Sequence, residues 1–574
     1  MGLQATALSY GPPVLREKYS GATIVDEART AIEDQRSIIG IVPGEGGVNG
    51  VWVYNGDVYA FRNKTGQTTT LNESTVSATD TTITVVSTTD FETAGTIKIG
   101  SEHITYTGVT STTFTGCTRG ANNTTAQAHD VSFTFSADLD QTQFGRNDTV
   151  TVTRINAGMY KSTATGWTEI DLGTALNFDG TVEAGEPVPG STGTPTTIVS
   201  ASGAQGDLMA LSYGGDWSLG ASGIMVFVNI TGTFVDDENL TMPLLAFDTG
   251  SIEISSGDDL VGATSGETAT VTSVTITGGT IAAGDAAGYI SVKNNSGTWT
   301  DSEPINVNGI QRALVNGASE PTAVTVAKAD GTQYAQTLAS DGKYEFSNYN
   351  FIGDTSGITM YGVNSVNKGF SWDGVTFTKL PTGVATDIPE HIATHQKHLF
   401  FSYSGGSIQH SSIAAPNKWN AITGAAALGI GDDVSGFSSE VNNVMSIFTR
   451  NDAYMLYGTS SADWELRKFH AGAGAIPYTL QKMDQTFFLD DRGISSIFTV
   501  QYFGDVQSSV ASDKIDPYIQ SKKDNAINSL RVRGKNQYRL YFNDKTGVEM
   551  TFINKKNQGL MPFTMDHQIV SLVS

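Results

Sequence analysis

Short runs in which apolar and polar residues alternate, closed by two-residue turn signals, recur along this chain and restrict its fold more than any other feature. A period of two puts every second side chain on one face of a strand, and an Asn-Gly or Asp-Gly pair supplies the positive φ angles that reverse a hairpin. Val51-Trp52-Val53-Tyr54 and Val58-Tyr59-Ala60-Phe61 flank Asn55-Gly56-Asp57, and Phe370-Ser371-Trp372 meets Val375-Thr376-Phe377 across Asp373-Gly374. Met159-Tyr160 and Trp167-Thr168-Glu169-Ile170 enclose a turn of Ser, Thr and Gly, and Arg539-Leu540-Tyr541-Phe542 runs through Asn543-Asp544 toward Val548 and Phe552. Composition points the same way: only 16% of residues are charged and 63 of 574 are glycine, which suits strands and tight turns better than exposed helices. Hairpins of similar size, each carrying Trp or Tyr, fit the blades of a β-propeller and fit a sandwich equally by periodicity. The expected fold class is all-β, a β-propeller-like core with inserted small β modules and a short N-terminal helix.

That helix is read from Ile24, Val25, Ala28, Ala31 and Ile32, which recur at a helical period. Thr23 stands at its N-cap, Asp26 and Glu27 in its first turn, and Gly40 and Pro43 end it. A second helix is expected from Ile515 to Leu530, opening near Pro517.

Two stretches differ from the aromatic hairpins. Residues 68–136 are rich in Thr and read as a separate β module. Residues 196–312 contain an internal repeat. Ser202-Gly203 corresponds to Ser265-Gly266, Gly220-Ala221-Ser222-Gly223 to Gly284-Asp285-Ala286-Ala287-Gly288, and Gly232-Thr233-Phe234-Val235-Asp236-Asp237-Glu238 to Gly297-Thr298-Trp299-Thr300-Asp301-Ser302-Glu303. The expected organisation is therefore an N-terminal helix and first propeller strands (1–67), a Thr-rich β module (68–136), a propeller continuation (137–195), acidic tandem β modules (196–312), and the remaining propeller with its C-terminal blades (313–574).

The chain carries 34 basic and 58 acidic residues, a net of −24. From Pro187 to Gln311 thirteen acids face a single base, Lys293. Such a balance argues against tight nucleic-acid binding, which needs clustered Lys and Arg. Residues 510–560 run the other way, with ten bases against five acids; this stretch suits a solvated strand face or an acidic neighbour such as another copy. One cysteine, Cys117, excludes an internal disulfide and a cysteine-rich zinc site and reads as a packing residue. No secretory leader and no membrane-spanning segment is read, and assembly in a reducing cytosol is expected.

No constellation of residues in the sequence assembles a chemical site. His391, His395 and His398 have the spacing of a helical metal pair, but no Glu follows His391 and Leu399–Tyr403 reads as a strand, so turn or interface histidines are expected. His103 and His129 are read in the same way. Asp236-Asp237-Glu238 and Asp490-Asp491-Arg492-Gly493 lack EF-hand spacing and are read as turns and caps. No nucleophile elbow and no phosphate-binding loop appears. No catalytic, cofactor-binding or metal residue is assigned, no cofactor is expected, and no enzyme is expected. Trp217 and Trp299 are the aromatics that would stack on a sugar if the chain bound glycans, although their repeat positions suit packing.

The ordered hairpins resemble a known family. The segments Gly50–Arg62, Gly369–Gly374, His398–Ser402, Pro416–Trp419, Gly458–Trp464, Phe488–Ile494, Phe503–Asp505 and Lys535–Phe542 together resemble the tail nozzle proteins, or tail tubular proteins B, of short-tailed bacteriophages. The resemblance covers 1–67, 137–195 and 313–574. It implies a virion tail protein, assembled in the host cytoplasm, that forms a hexameric ring below the head–tail adaptor ring, contacts tail fibres or spikes, and encloses a channel for double-stranded DNA. Members of that family continue through further blades where this sequence stops, at Val570-Ser571-Leu572-Val573-Ser574. A conduit for a polyanion is expected to be acidic or neutral-polar, because Lys and Arg would hold phosphates. The alternatives are a host-surface adhesin or glycan-binding tail protein, and a glycan-cleaving enzyme with paired carboxylates.

Overall fold

A computed structural model describes residues 40–89, 91–121, 124–130, 151–154, 156–179, 196–216, 220–255, 257–317, 322–351, 353, 357–421, 424–440, 443–460, 462–471, 474–500, 505–510, 512, 515–553, 556–565, 569 and 571. The N-terminal helix read from Ile24 to Ile32 lies outside the described residues, as does Trp217.

Six antiparallel sheets follow one another as blades of a β-propeller. The first is Glu45–Tyr54, Asp57–Asn63, Asn156–Thr163 and Gly166–Glu169, with Leu338–Ala339 added beside its third strand. The others are uninterrupted in sequence and start at Glu345, His391, Val434, Gln481 and Ala526. The last of them ends with Lys556–Thr564. Apart from the inserted module that splits the first blade, each blade is a meander because its turns are local. Tyr54 pairs with Asp57, which leaves Asn55-Gly56 as a two-residue turn with φ of 49° and 85°. Gln396-Lys397 makes the same turn between His395 and His398. The Asp373-Gly374 turn is longer than the sequence suggests: Trp372 pairs with Phe377, and the Asp373 carboxylate caps the loop by accepting from the amides of Val375 (2.8 Å) and Thr376 (2.7 Å).

Apolar faces of neighbouring blades meet in separate cores. Phe61, Met159, Phe370 and Trp372 join the first two blades; Val363, Leu380, Leu399 and Phe401 join the next pair. Phe400 with Met445 and Ile447, Phe448 with Phe488, and Leu489 with Leu540 and Val548 continue the series. Each such fully buried side chain contributes about 1.5–3 kcal/mol. The seam between the last blade and the first is closed differently: the Val51 amide donates to the Ser571 hydroxyl at 3.1 Å. Gly369 is required at one of these contacts, because a Cβ there would lie 2.4 Å from the Phe401 ring, itself stacked on Trp419. Gly369→Ala is expected to cost about 1–3 kcal/mol through overpacking, read as a lower urea midpoint at unchanged m-value.

The expected second helix is corrected to Asp516–Lys522. Residues 526–532 are instead the inner strand of the last blade, where Leu530 pairs with Arg539 and Val532 with Gln537.

Both insertions interrupt the propeller near its first blade. Thr68–Thr70 to Thr151–Arg154 form a module between that blade's second and third strands, around a core of Ile83, Ile97, Ile104, Phe114 and Cys117. The second lies between the first and second blades and is wider than the sequence boundaries: Thr174–Asp179 and Thr322–Ala329 pair into its sheet rather than into a blade. It holds two cores, one around Phe234 and one around Trp299. Tyr213-Gly214 pairs in parallel with Lys418-Trp419, and Asn417 donates to the Leu211 carbonyl at 2.8 Å, so the insertion is docked on the third blade.

The internal repeat is visible in atomic detail. Phe234 and Trp299 are both buried, and each is followed four residues later by a glutamate folded back onto the repeat's own turn. Glu238 accepts from the amides of Val235 (2.8 Å) and Ser202 (3.1 Å). Glu303 accepts from the amides of Thr300 (2.6 Å), Ser265 (2.8 Å) and Thr264 (2.9 Å).

Candidate functional site at the propeller axis

The inner strands of all six blades converge on one cavity of about 510 Å³. Val51 and Trp52 come from the first blade, Tyr344 to Phe346 from the second, Ile392 from the third and Phe437 from the fourth. Tyr478 and Leu480 to Lys482 reach it from the fifth, Asn528 to Arg531 and Arg533 from the sixth, and Ser571 lies at the seam. Adjacent residues line it, Val51 with Trp52 and Glu345 with Phe346, and Trp52, Tyr344 and Phe346 also pack against the core between the first two blades.

The wall is unusually cationic for so acidic a protein. Lys343, Lys482, Arg531 and Arg533 line it, against Glu345. Glu345 is engaged by His391, whose Nδ1 lies 3.0 Å from its carboxylate. Burial opposes a charge on His391, but the Glu345 carboxylate outweighs it and raises the imidazole above its ordinary value. Lys482 is paired with Glu440, which is buried and also accepts from the Thr486 hydroxyl at 2.6 Å. Lys343 donates to the Ile527 carbonyl and sits 3.6 Å from the Tyr478 ring centre. Burial lowers its ammonium to about 8, with Glu345 opposing. Arg531 donates from Nη1 to the Lys482 carbonyl at 2.8 Å, while its Nε is buried without a partner. Trp52 stacks on Phe346 at 5.4 Å and gives the cavity an aromatic side.

The residues weighed in the sequence lie elsewhere, apart from His391 beside the axis. His395, His398 and His410 form a buried aromatic cluster with Phe400 and Trp464; His398 and His410 are 4.9 Å apart between ring centres. Burial pushes His395 and His410 down to about 4 and also lowers His398. Among the described residues no group of His, Cys, Asp or Glu is arranged to hold a metal. Asp490 is consumed by its own turn, accepting from the amides of Arg492 (2.7 Å) and Gly493 (3.0 Å). Asp491 pairs with Arg450 at 2.7 Å and with Lys523 at 3.1 Å. Asp236 accepts from the Gly331 amide at 2.7 Å. His129 meets the buried Glu102 carboxylate at 2.7 Å. Cys117 is buried, and burial pushes its thiol up to about 12. Trp299 is 1% exposed and donates to Asn295, which leaves no face for a sugar.

Part of the basic 510–560 stretch is spent within the chain: Lys522 pairs with Asp544, Lys523 with Asp491 and Arg539 with Glu549. The sequence singled out Arg531 and Arg533 only as members of that stretch. Lys343 and Tyr478 carried no signal, because the axis is assembled from residues as far apart in sequence as Val51 and Ser571.

No protein-family model matches the chain, and no curated protein matches it. Among solved structures, a streptogramin B lyase is similar at 10% identity over 57% of this chain and 89% of that one, with a TM-score of 0.29. Virginiamycin B lyase from Staphylococcus aureus is similar at 9% identity over 57% and 89%, with a TM-score of 0.26. BBS1N, solved in complex with ARL6DN, is similar at 8% identity over 58% and 90%, with a TM-score of 0.28. At such identities nothing of their chemistry passes to this chain, whose β-propeller is defined by its own sheet pairing.

Proposed function

We propose that this chain is a structural, non-catalytic subunit of a short phage tail, a nozzle that assembles with its copies into a hexameric ring and conducts double-stranded DNA from the virion. The observation that supports this most is the architecture: a propeller whose first blade is split by one β module and followed by a second, acidic one. Of the motifs that resemble tail nozzle proteins, Gly50–Arg62, Gly369–Gly374, His398–Ser402, Phe488–Ile494 and Lys535–Phe542 fall on propeller blades, and both insertions lie between the first and the second of these. The ring would sit below a head–tail adaptor and carry fibres or spikes. Its bore would be acidic or neutral-polar, so that phosphates pass without being held. Among the described residues no helix is long and apolar enough to cross a membrane.

Negative-stain images and light scattering of the purified protein test this reading. Six-fold rings with an open centre are the expected result. Trimers or monomers at micromolar concentration would instead favour the glycan-binding reading, and sugar released from host polysaccharide would overturn the non-catalytic one.

A further inference from the structure

We propose that the axial cavity is a binding site for a small oxyanion, a phosphate ester or a carboxylate. Three cations of its wall, Lys343, Arg531 and Arg533, have no carboxylate within ion-pairing distance among the described residues. The cavity's own glutamate is taken by His391, and Lys482 by Glu440. Lys343 and Arg531 are partly buried, and desolvated cations without a paired counter-charge are costly; Arg533 stands exposed at the rim. The protein has acids to spare, at a net charge of −24, yet among the described residues the cavity wall holds only Glu345, which acts on Lys343 from beyond ion-pairing distance. Arg531 is the most telling, because its Nε is buried and unpartnered while Nη1 is fixed on a backbone carbonyl. An oxyanion accepting from that Nε and from Arg533 would complete the set, since guanidinium groups match the paired oxygens of phosphate and carboxylate.

Size agrees with a small ligand. A cavity of about 510 Å³ lies in the range typical of small-molecule sites. Its aromatic side, Trp52 on Phe346, offers an apolar face to the body of an organic anion and places an indole where fluorescence can report occupancy.

The experiment is titration of the full-length protein with inorganic phosphate and, separately, with acetate, followed by calorimetry and Trp fluorescence. Saturable binding of either anion at one site per chain is expected; the tighter of the two assigns the natural ligand to phosphate esters or to carboxylates. Arg533→Met is the main variant, because Arg533 is exposed at the rim and its loss leaves the fold intact. Loss of a charge-assisted hydrogen bond, about 1.5–3 kcal/mol, corresponds to roughly 10–150-fold weaker binding. Lys343→Met is expected to weaken binding similarly. Arg467→Met, on the outer strand of the fourth blade and paired with Glu465, is expected to change nothing. Absence of saturable binding of both anions, wild-type affinity in Arg533→Met, or equal weakening in Arg467→Met would each overturn the proposal. None of these outcomes depends on ring formation.

Discussion

Glu102→Ala is expected to unfold the first inserted module, at a cost of about 3–5 kcal/mol. Glu102 is fully buried and is the hub of that module's polar interior. Its carboxylate accepts from Arg119 at Nε (2.9 Å) and Nη2 (2.7 Å), from the amides of Gly120 (3.0 Å) and Gln127 (3.3 Å), and meets His129 at 2.7 Å. Removing it strands a guanidinium whose side chain is only 6% exposed. Burial alone would raise this carboxyl, but the Arg119, His129 and amide hydrogen bonds prevail and hold it down to about 2. A folded value below the ordinary 4.5 stabilises the folded state when the group is ionised. That contribution is complete above pH 4.5 and is lost as the pH falls toward 2. Hydrogen exchange should therefore show the wild-type module opening in acid, and the Glu102→Ala module already open at pH 7. Wild-type protection of residues 95–121 in Glu102→Ala would refute the assignment.

Glu303→Ala is expected to cost about 3 kcal/mol, and the equivalent change in the other repeat, Glu238→Ala, about 1 kcal/mol. The two glutamates close equivalent turns, through Val235 and Ser202 in one repeat and Thr300 and Ser265 in the other. Glu303 is both more deeply buried and bonded to one further amide, that of Thr264. Glu303 is 2% exposed, and its removal orphans three amides and the Ser265 hydroxyl in a dry site. Glu238 is half-buried, so water replaces much of what it supplies. Burial raises both carboxyls, but the amide hydrogen bonds outweigh it and lower both, so acid should weaken each repeat as the groups protonate. Thermal unfolding of the two variants checks the ranking; equal losses would show that neither burial nor the further amide separates them.

The local pattern carried most of the fold. Asn55-Gly56 specified its hairpin because two adjacent positive-φ residues leave the chain few other paths. The repeat was legible because Phe234 and Trp299 occupy one packing position and the matched motifs run on to Glu238 and Glu303; that these glutamates fold back onto Ser202 and Ser265 was hidden, because those partners lie far upstream in the chain. What stayed hidden depends on distant partners. Residues 174–179 look like any blade strand, and only pairing with Gly223–Phe227 places them in the insertion. Residues 526–530 could follow Pro517 as helix; the neighbouring strand at 537–542 decides otherwise. The axis was illegible for the same reason, since no window of sequence contains more than one blade's share of its wall.

The narrowness of that axial space has a consequence for any passage of DNA. Drawn out along one turn of duplex, about 34 Å, a volume of 510 Å³ would be a tube only about 4 Å wide. No double helix threads an individual propeller here. In a ring of such subunits the duplex would travel between them, past surfaces that each copy presents outward. The side chains that decide how fast a genome leaves would then be found on blade rims and inserted modules, while the centre of each propeller stays free for another task.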